Sequence, residues 1–211
     1  MKRELEMTIS EELVMMMTTA GLQGELVRLV APEPDRDAEL LAKWSRDAEY
    51  LRLLDSDPAR QWSVKKYKEW IEKDLDKERT DDFFFLIQAL TDDADKKWRP
   101  IGFVGLGGIR WTHGDAWVGI GIGEREYWGK GCGTEAMRMI LRFAFDELNL
   151  HRVSLTVFEY NVRAIRSYEK AGFKVEGKLR QLMRRDGRRW DLIFMGILKE
   201  DWRNDYDYTC T

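Results

Sequence analysis

The sequence predicts an α/β fold: one domain with a mixed, mostly antiparallel central sheet flanked by helices. Three observations carry that expectation. Between residues 83 and 123, three strand-like segments follow one another with only polar turns between them, which implies an antiparallel meander. From about residue 131 to 198 the pattern changes to helix, strand, helix and a final hairpin, a strand-helix-strand-helix-strand unit built onto the same sheet. The chain has 211 residues, is 44% hydrophobic and carries nine tryptophans, enough to bury a substantial core.

The elements follow in order. ELVRLV (25–30) reads as the first strand. DAELLAKWSRDAEYLRLL reads as a helix capped by Asp35 or Asp37. SVKKYKEWIEKDLDKE reads as another, with Ser63 as N-cap ahead of a face made by Tyr67, Trp70, Ile71 and Leu75. The meander is FFFLIQAL (83–90), IGFVGLGGI (101–109) and AWVGIGIG (116–123), with TDDADKKWRP and WTHGD as turns. GCGTEAMRMILRFAFDELN then sets Met137, Ile140, Leu141, Ala144, Phe145 and Leu148 at helical spacing. RVSLTVF (152–158) is a strand, and Asn161 caps the helix VRAIRSYEKA, which stops at Gly172. FKVEGKLRQLMRR and RRWDLIFMGIL close the fold as a hairpin turned at Asp186-Gly187. Residues 23–202 are read as the domain, 1–22 as an N-terminal extension and 203–211 as a C-terminal tail.

Composition removes several function classes. A net charge of −3 gives no reason to expect a nucleic-acid partner. The first twenty residues hold glutamates, and their apolar run, LVMMM, is five residues long, too short for a signal peptide or a membrane span. Cys132 and Cys210 have neither a disulfide framework nor metal-ligand spacing. A reducing cytoplasm is the simplest home. Whether the chain forms a homodimer is left open.

The chemistry concentrates in EYWGKGCGTEAM (126–137). Gly129, Gly131 and Gly133 precede a helix, where unpaired amides and the positive end of the helix dipole converge. That is an anion site suited to phosphate, and Thr134 can add a hydroxyl. A glycine-rich turn with no ligand is the plain alternative. A P-loop is excluded, because no Lys-Ser/Thr pair closes the loop. A dinucleotide fingerprint is nearer, since Gly131, Gly133 and Ala136 satisfy G-x-G-x-x-A, but Glu124 to Lys130 separate the loop from its strand.

The second half of the chain resembles the GNAT N-acetyltransferase superfamily. YWGKGCGTEAM matches its acetyl-CoA pyrophosphate loop, and NVRAIRSYEKAGFKVEG matches its next motif, with Asn161, Ala164, Tyr168, Gly172 and Phe173 in place. GRRWDLIFMGILKEDW and LHRVSL look like the branch holding ribosomal-protein N-terminal alanine and spermidine acetyltransferases. One residue departs from the pattern: Trp128 stands where Gln or Arg is usual.

The resemblance implies a single GNAT-like domain and acetyl-CoA as donor. It places the pyrophosphate on the amides of Gly129, Lys130, Gly131, Cys132, Gly133 and Thr134, beside Trp128. It runs the pantetheine arm along the strand of Ile120 and Ile122, with Asn161, Ala164 and Tyr168 across from it. On that strand Gly119, Gly121 and Gly123 share one face; either the ligand or a closely packed helix can explain a face without side chains. The acceptor is a primary amine: a protein N-terminus, a polyamine or another small amine. The alternative is a GNAT-like module that binds acetyl-CoA without turning it over. Tyr168 takes the family's place for the group that gives the departing thiolate a proton or a hydrogen bond. Glu124, Glu126 and Glu159, near strand ends, are candidates for the base, Glu124 foremost. Glu39, Asp47 and Glu49 can meet a cationic amine, and Arg184, Arg185, Arg188 and Arg189 read as a solvated hairpin tip or a contact for an acidic group.

Overall fold

The computed structural model describes residues 22–75, 81–91 and 96–206. Nearly all of the expected N-terminal extension, and the end of the C-terminal tail, lie outside the described residues. The elements are β1 (Val27–Val30), α1 (Pro34–Trp44), α2 (Ala48–Leu54), α3 (Val64–Leu75), β2 (Phe83–Leu90), β3 (Trp98–Arg110) and β4 (Asp115–Ile122). A single 3₁₀ turn (Arg125–Tyr127) leads into α4 (Cys132–Arg142), which runs on as a π-helical segment (Phe143–Glu147). Then come β5 (Arg152–Phe158), α5 (Val162–Lys170), β6 (Lys174–Arg185), β7 (Arg188–Leu198) and α6 (Lys199–Tyr206).

Seven strands form one sheet in the order β1-β2-β3-β4-β5-β7-β6. Every neighbouring pair is antiparallel except β4 and β5. That parallel pair is joined by α4, the crossover that parallel strands require. The meander and the closing hairpin are both present. Asp186 and Gly187 turn the hairpin with φ of 49° and 73°, the mirror-image turn that matches strand twist.

Two layers cover the sheet. On one face Met137, Ile140, Leu141 and Phe145 from α4 and its π segment are fully buried against Ile101, Val104, Val153 and Met195. On the other, α1 to α3 set Leu41, Trp44, Tyr50 and Ile71 over Leu86, Phe84 and Phe103. These helices answer the question raised by the glycine face of β4. Gly121 lies beneath Tyr50 and Leu54, and a methyl group at Gly123 would overlap the Trp44 ring. Close helix packing therefore accounts for Gly121 and Gly123, whereas Gly119 has open space above it.

Local outcomes differ from expectation at several points, β3 among them, which begins at Trp98 and not at Ile101 because it pairs with β2. The helix expected from Asp37 to Leu54 is two helices, because Asp47 interrupts it and caps α2 by accepting from the amides of Glu49 and Tyr50. Glu33, with Pro34 at the first helical position, caps α1 in place of Asp35 or Asp37; the Asp37 carboxylate reaches back to the Glu33 amide at 2.6 Å. Finally, α6 continues the chain as helix through Tyr206, past residue 202.

One side chain ties the start of the domain to α4. The Glu135 carboxylate, in the first turn of α4, accepts from the amides of Glu25, Leu26 and Val27 at 3.0, 2.8 and 2.7 Å. Glu135→Ala is expected to cost about 2 kcal/mol, since bonds to a charged acceptor exceed neutral ones. For a chain of this size that lowers Tm by roughly 4–8 °C, readable by scanning calorimetry.

Candidate active site

The strands β4 and β5 pair only from Asp115 to Trp117, against Arg152 to Ser154. Beyond that point β5 keeps its pairing with β7 out to Phe158, and β4 continues to Ile122 beside β3 alone. The sheet therefore splits, and a cavity of about 500 Å³ occupies the split. It is lined by Ile120, Gly121 and Ile122 of β4, most of the loop from Tyr127 to Thr134, the length of α5, and Tyr50, Leu53 and Leu54 of α2.

The loop is shaped by backbone that only glycine adopts freely. Gly129 and Gly131 have φ of 76° and 92°, and Gly131 is the left-handed N-cap of α4 with no side-chain cap bond. The first amides of an α-helix have no intrahelical acceptor, so this end presents donors and the positive pole of the helix dipole. Gly133 and Thr134 line the cavity behind them. The Thr134 and Ser167 hydroxyls share a hydrogen bond of 2.8 Å, which joins α4 to α5.

Trp128 shows what replaced the usual polar residue. Its indole N–H donates to the Ile122 carbonyl at 2.7 Å, closing the end of β4. Its ring carries the Arg163 guanidinium at 3.8 Å from the centroid and Arg125 at 5.0 Å, both within cation–π range. Arg125 is tied to Asp47 and Glu49 at 2.5 and 2.7 Å. Arg163, with Arg166 and Lys170, instead lines the cavity. Their spacing of three and four residues puts these cations on one face of α5.

Tyr168 and Asn161 both line the cavity. Asn161 caps α5 by accepting from the Ala164 amide at 3.2 Å. Burial pushes the Tyr168 hydroxyl up to about 12, so it stays protonated at any physiological pH. Ile120, Ile122, Trp128, Gly129, Gly131, Gly133, Thr134 and Ala164 line the cavity as well.

Other expected residues are placed elsewhere. The Lys130 ammonium sits over the Tyr127 ring at 5.6 Å, and Cys132 is buried in the core; neither lines the cavity, which leaves only their backbone to serve a ligand. Glu124 is also outside the lining. It accepts from Lys43 at 2.5 Å and the Trp44 indole at 2.9 Å, with Arg99 at 3.5 Å. Desolvation raises its pKa, but the bonds and charges of Lys43, Trp44 and Arg99 outweigh it and hold the carboxyl below its usual range. That makes it a weaker base, and its geometry is that of a strut between β4 and α1. Glu126 pairs with Arg99 at 3.0 Å, and Glu159 accepts from the Asp191 amide at 3.0 Å.

The hairpin tip is not simply solvated. Arg185 donates to the carbonyls of Asp55, Ser56 and Asp57 at 2.9–3.0 Å, and Arg52 pairs with Asp186. The β6–β7 tip is thereby fastened to the loop after α2. His113 and His151 line a separate depression at the other end of β4, remote from Ile120 and Ile122.

Sequence reasoning missed Tyr50, Leu53, Arg163, Arg166 and Lys170 in the lining. The α5 cations had a usable signal, since Arg163, Arg166 and Lys170 sit at three- and four-residue spacing within the same motif as Asn161 and Tyr168. Tyr50 had none, because its place depends on how α2 packs across β4.

A split sheet with a donor-rich loop at one end suits a long ligand with an anionic group at the loop and an amide-bearing arm along the free edge of β4. Comparison with known proteins agrees. Residues 27–174 match the model of the acetyltransferase (GNAT) domain. The chain is 32% identical over 188 residues to the SPbeta prophage-derived uncharacterized N-acetyltransferase YokL of Bacillus subtilis (strain 168), covering 85% of this chain and 93% of that protein. It is 28% identical over 166 residues to the uncharacterized N-acetyltransferase p20 of Bacillus licheniformis, covering 79% and 89%. Its fold is similar to the crystal structure of spermidine N-acetyltransferase from Vibrio cholerae in complex with CoA and spermine, with a TM-score of 0.71 and 26% identity over 85% of this chain and 99% of that one. On matches of this extent the chain belongs to the GNAT family, and it is an acetyl-CoA-dependent N-acetyltransferase.

Proposed function

We propose that the acceptor is an α-amine, such as a protein or peptide N-terminus, and that the acetyl group passes to it directly in the β4–β5 split. The observation that carries this reading is the lining of the cavity. Among the described residues it contains tyrosines, amides, hydroxyls and three cations, but no carboxylate and no imidazole. A lysine-like amine has a pKa of about 10.4 and needs a strong base, whereas an α-amine at about 7.7–8.0 supplies its own neutral form. The bases weighed from sequence, Glu124, Glu126 and Glu159, are engaged outside the cavity.

In this reading the amides from Gly129 to Thr134 bind the pyrophosphate, and Arg163 and Lys170 add positive charge beside it. Acetyl-CoA supplies an activated thioester. The amine lone pair forms the C–N bond, the C–S bond breaks, the surplus amine proton goes to water, and sulfur leaves as thiolate. Tyr168 hydrogen-bonds that sulfur. With its own pKa at about 12, against about 8.5 for an ordinary thiol, it stabilises the thiolate without giving up its proton. Asn161 holds the start of α5 and so the position of Tyr168. The buried Cys132 takes no part as an acyl carrier. A reducing, acetyl-CoA-containing compartment such as the cytoplasm suits this chemistry.

A polyamine acceptor is the second reading, supported by the Vibrio cholerae enzyme whose structure holds spermine. Thiol release with free peptides, N-terminally blocked lysine peptides and spermidine separates the two. The α-amine reading expects the free peptides to have the highest kcat/KM. Their log(kcat/KM) should rise with pH and level off at about 7.7–8.0, with no alkaline fall from Tyr168 before pH 10, because burial raises that hydroxyl well above its usual value. A controlling pKa near 6 would reveal a side-chain base and contradict the reading, and spermidine as the fastest acceptor would replace it.

A further inference from the structure

One polar group in the cavity is left unexplained by the roles above. Tyr50, in the first turn of α2, lines the split and is only 5% exposed. Its hydroxyl is buried and finds no hydrogen-bond partner among the described residues. Its ring is well supported, lying in the α1–α3 cluster with Trp44, Ile71 and Leu86. A methyl group added at Gly121 would lie 2.6 Å from the Tyr50 oxygen, with Leu54 and Phe103 beside it at 3.1 and 3.2 Å. The hydroxyl is therefore held at the backbone of β4. Buried hydroxyls are seldom left unpaired, since an unmet donor forfeits its solvation. Phenylalanine would fill the same space without that penalty.

The position identifies the missing partner. Past Trp117 the edge of β4 has lost its neighbour β5, so its free backbone groups can pair with the amides of a pantetheine arm as another strand would. An arm paired along this edge would carry its thioester within reach of Gly121, which lines the cavity. Burial, with smaller contributions from Tyr67 and Asp47, drives the Tyr50 pKa far above that of a free phenol, so the group is a donor and not a base. Two atoms gain negative charge as the amine attacks: the sulfur, which lies with Tyr168, and the carbonyl oxygen.

Resting on the acetyl-CoA reading of the split, we infer that the Tyr50 hydroxyl donates a hydrogen bond to the acetyl carbonyl oxygen and holds it as it becomes anionic. The bond changes are those already given: C–N forms, C–S breaks, one proton leaves the amine for water. Tyr50 keeps its own proton throughout. Tyr50 is thus a catalytic residue supplied by the N-terminal helices, opposite Tyr168 on α5. The glycine at 121 is what lets the hydroxyl come this close to the strand.

Tyr50→Phe tests the assignment through three readouts: calorimetric affinity for CoA and for acetyl-CoA, steady-state kinetics with a peptide acceptor, and Tm without ligand. The expected result is an unchanged CoA affinity and a loss of about two- to tenfold in the preference for acetyl-CoA over CoA, the range of one neutral hydrogen bond. With it comes a fall in kcat of roughly 10- to 100-fold at unchanged amine KM, toward the lower end of losses seen for oxyanion donors. Tm should not drop, because an unsatisfied hydroxyl has been removed. An unchanged kcat and an unchanged acetyl-CoA preference would overturn the assignment. So would a higher amine KM with kcat intact, which would put the hydroxyl on the acceptor, or a lower Tm with CoA affinity lost in proportion, which would make it structural. Failure of the wild-type protein to bind CoA would instead remove the reading on which the assignment rests, and the wild-type titration shows that separately.

Discussion

Replacing Tyr168 with phenylalanine is expected to reduce kcat by roughly 10²-fold, the lower end of what one donor to a developing anion contributes, while CoA binds as before. Tyr168 lines the split opposite β4, and burial fixes its hydroxyl as a neutral donor with a pKa raised to about 12. A departing thiolate is the group in this reaction that most needs such a donor. Because the ring is retained, packing against Phe173 at 6.1 Å between centroids survives, and the loss should fall on kcat alone. The variant should also recover part of its rate with an acetyl thioester of a more acidic thiol, which needs less help in leaving. Equal kcat in the two proteins would take Tyr168 out of the mechanism.

Gly131→Val is expected to abolish CoA binding without unfolding the domain. At φ of 92° the residue is in left-handed territory, and an added Cβ would also press on Leu26 at 3.2 Å. A β-branched side chain there costs of order 1–3 kcal/mol and turns the first amides of α4 away from the cavity. Wild-type protein with CoA at about 100 times its Kd should gain roughly 2.7 kcal/mol, a melting shift of about 5–11 °C. The variant should show a normal far-ultraviolet dichroism spectrum and no shift. A full shift in Gly131→Val would mean that the loop amides do not hold the ligand.

Much of this architecture can be read from local pattern. β2 and β5 lie where their apolar runs begin and end, because each is bounded by polar or glycine-rich sequence. Asp186-Gly187 announces its hairpin through the only common turn type that fits. The boundaries that cannot be read depend on competition between elements. The apolar spacing of α1 continues through Ser45–Asp47 as though the helix did, and only the Asp47 side chain, bonded to the amides of Glu49 and Tyr50, shows the break. β3 begins at Trp98 inside a stretch whose charges suggest a turn, because its pairing with β2 decides the matter.

The candidate site divides the same way. Residues contributed by one continuous motif, from Trp128 to Thr134 and from Asn161 to Tyr168, are legible because loop and helix carry their own geometry. Glu124 misleads for the opposite reason: a glutamate at a strand end looks like a base until Lys43, Trp44 and Arg99 are seen around it. Tyr50 lies 71 positions from Gly121 in sequence and touches it only through the packing of α2 on the sheet. Trp128 shows a substitution whose logic is tertiary: the indole closes β4 at Ile122 and seats Arg163 at the cavity.

The proposed reaction is direct transfer from acetyl-CoA in the β4–β5 split to an α-amine. The measurement that tests it most directly is a single-turnover reaction with a free N-terminal peptide, following thiol release and the masses of both peptide and protein. The account predicts one acetyl group on the peptide α-nitrogen for each thiol released, with the protein mass unchanged throughout. Thiol release without peptide acetylation, or an acetyl group appearing on the protein first, would contradict it.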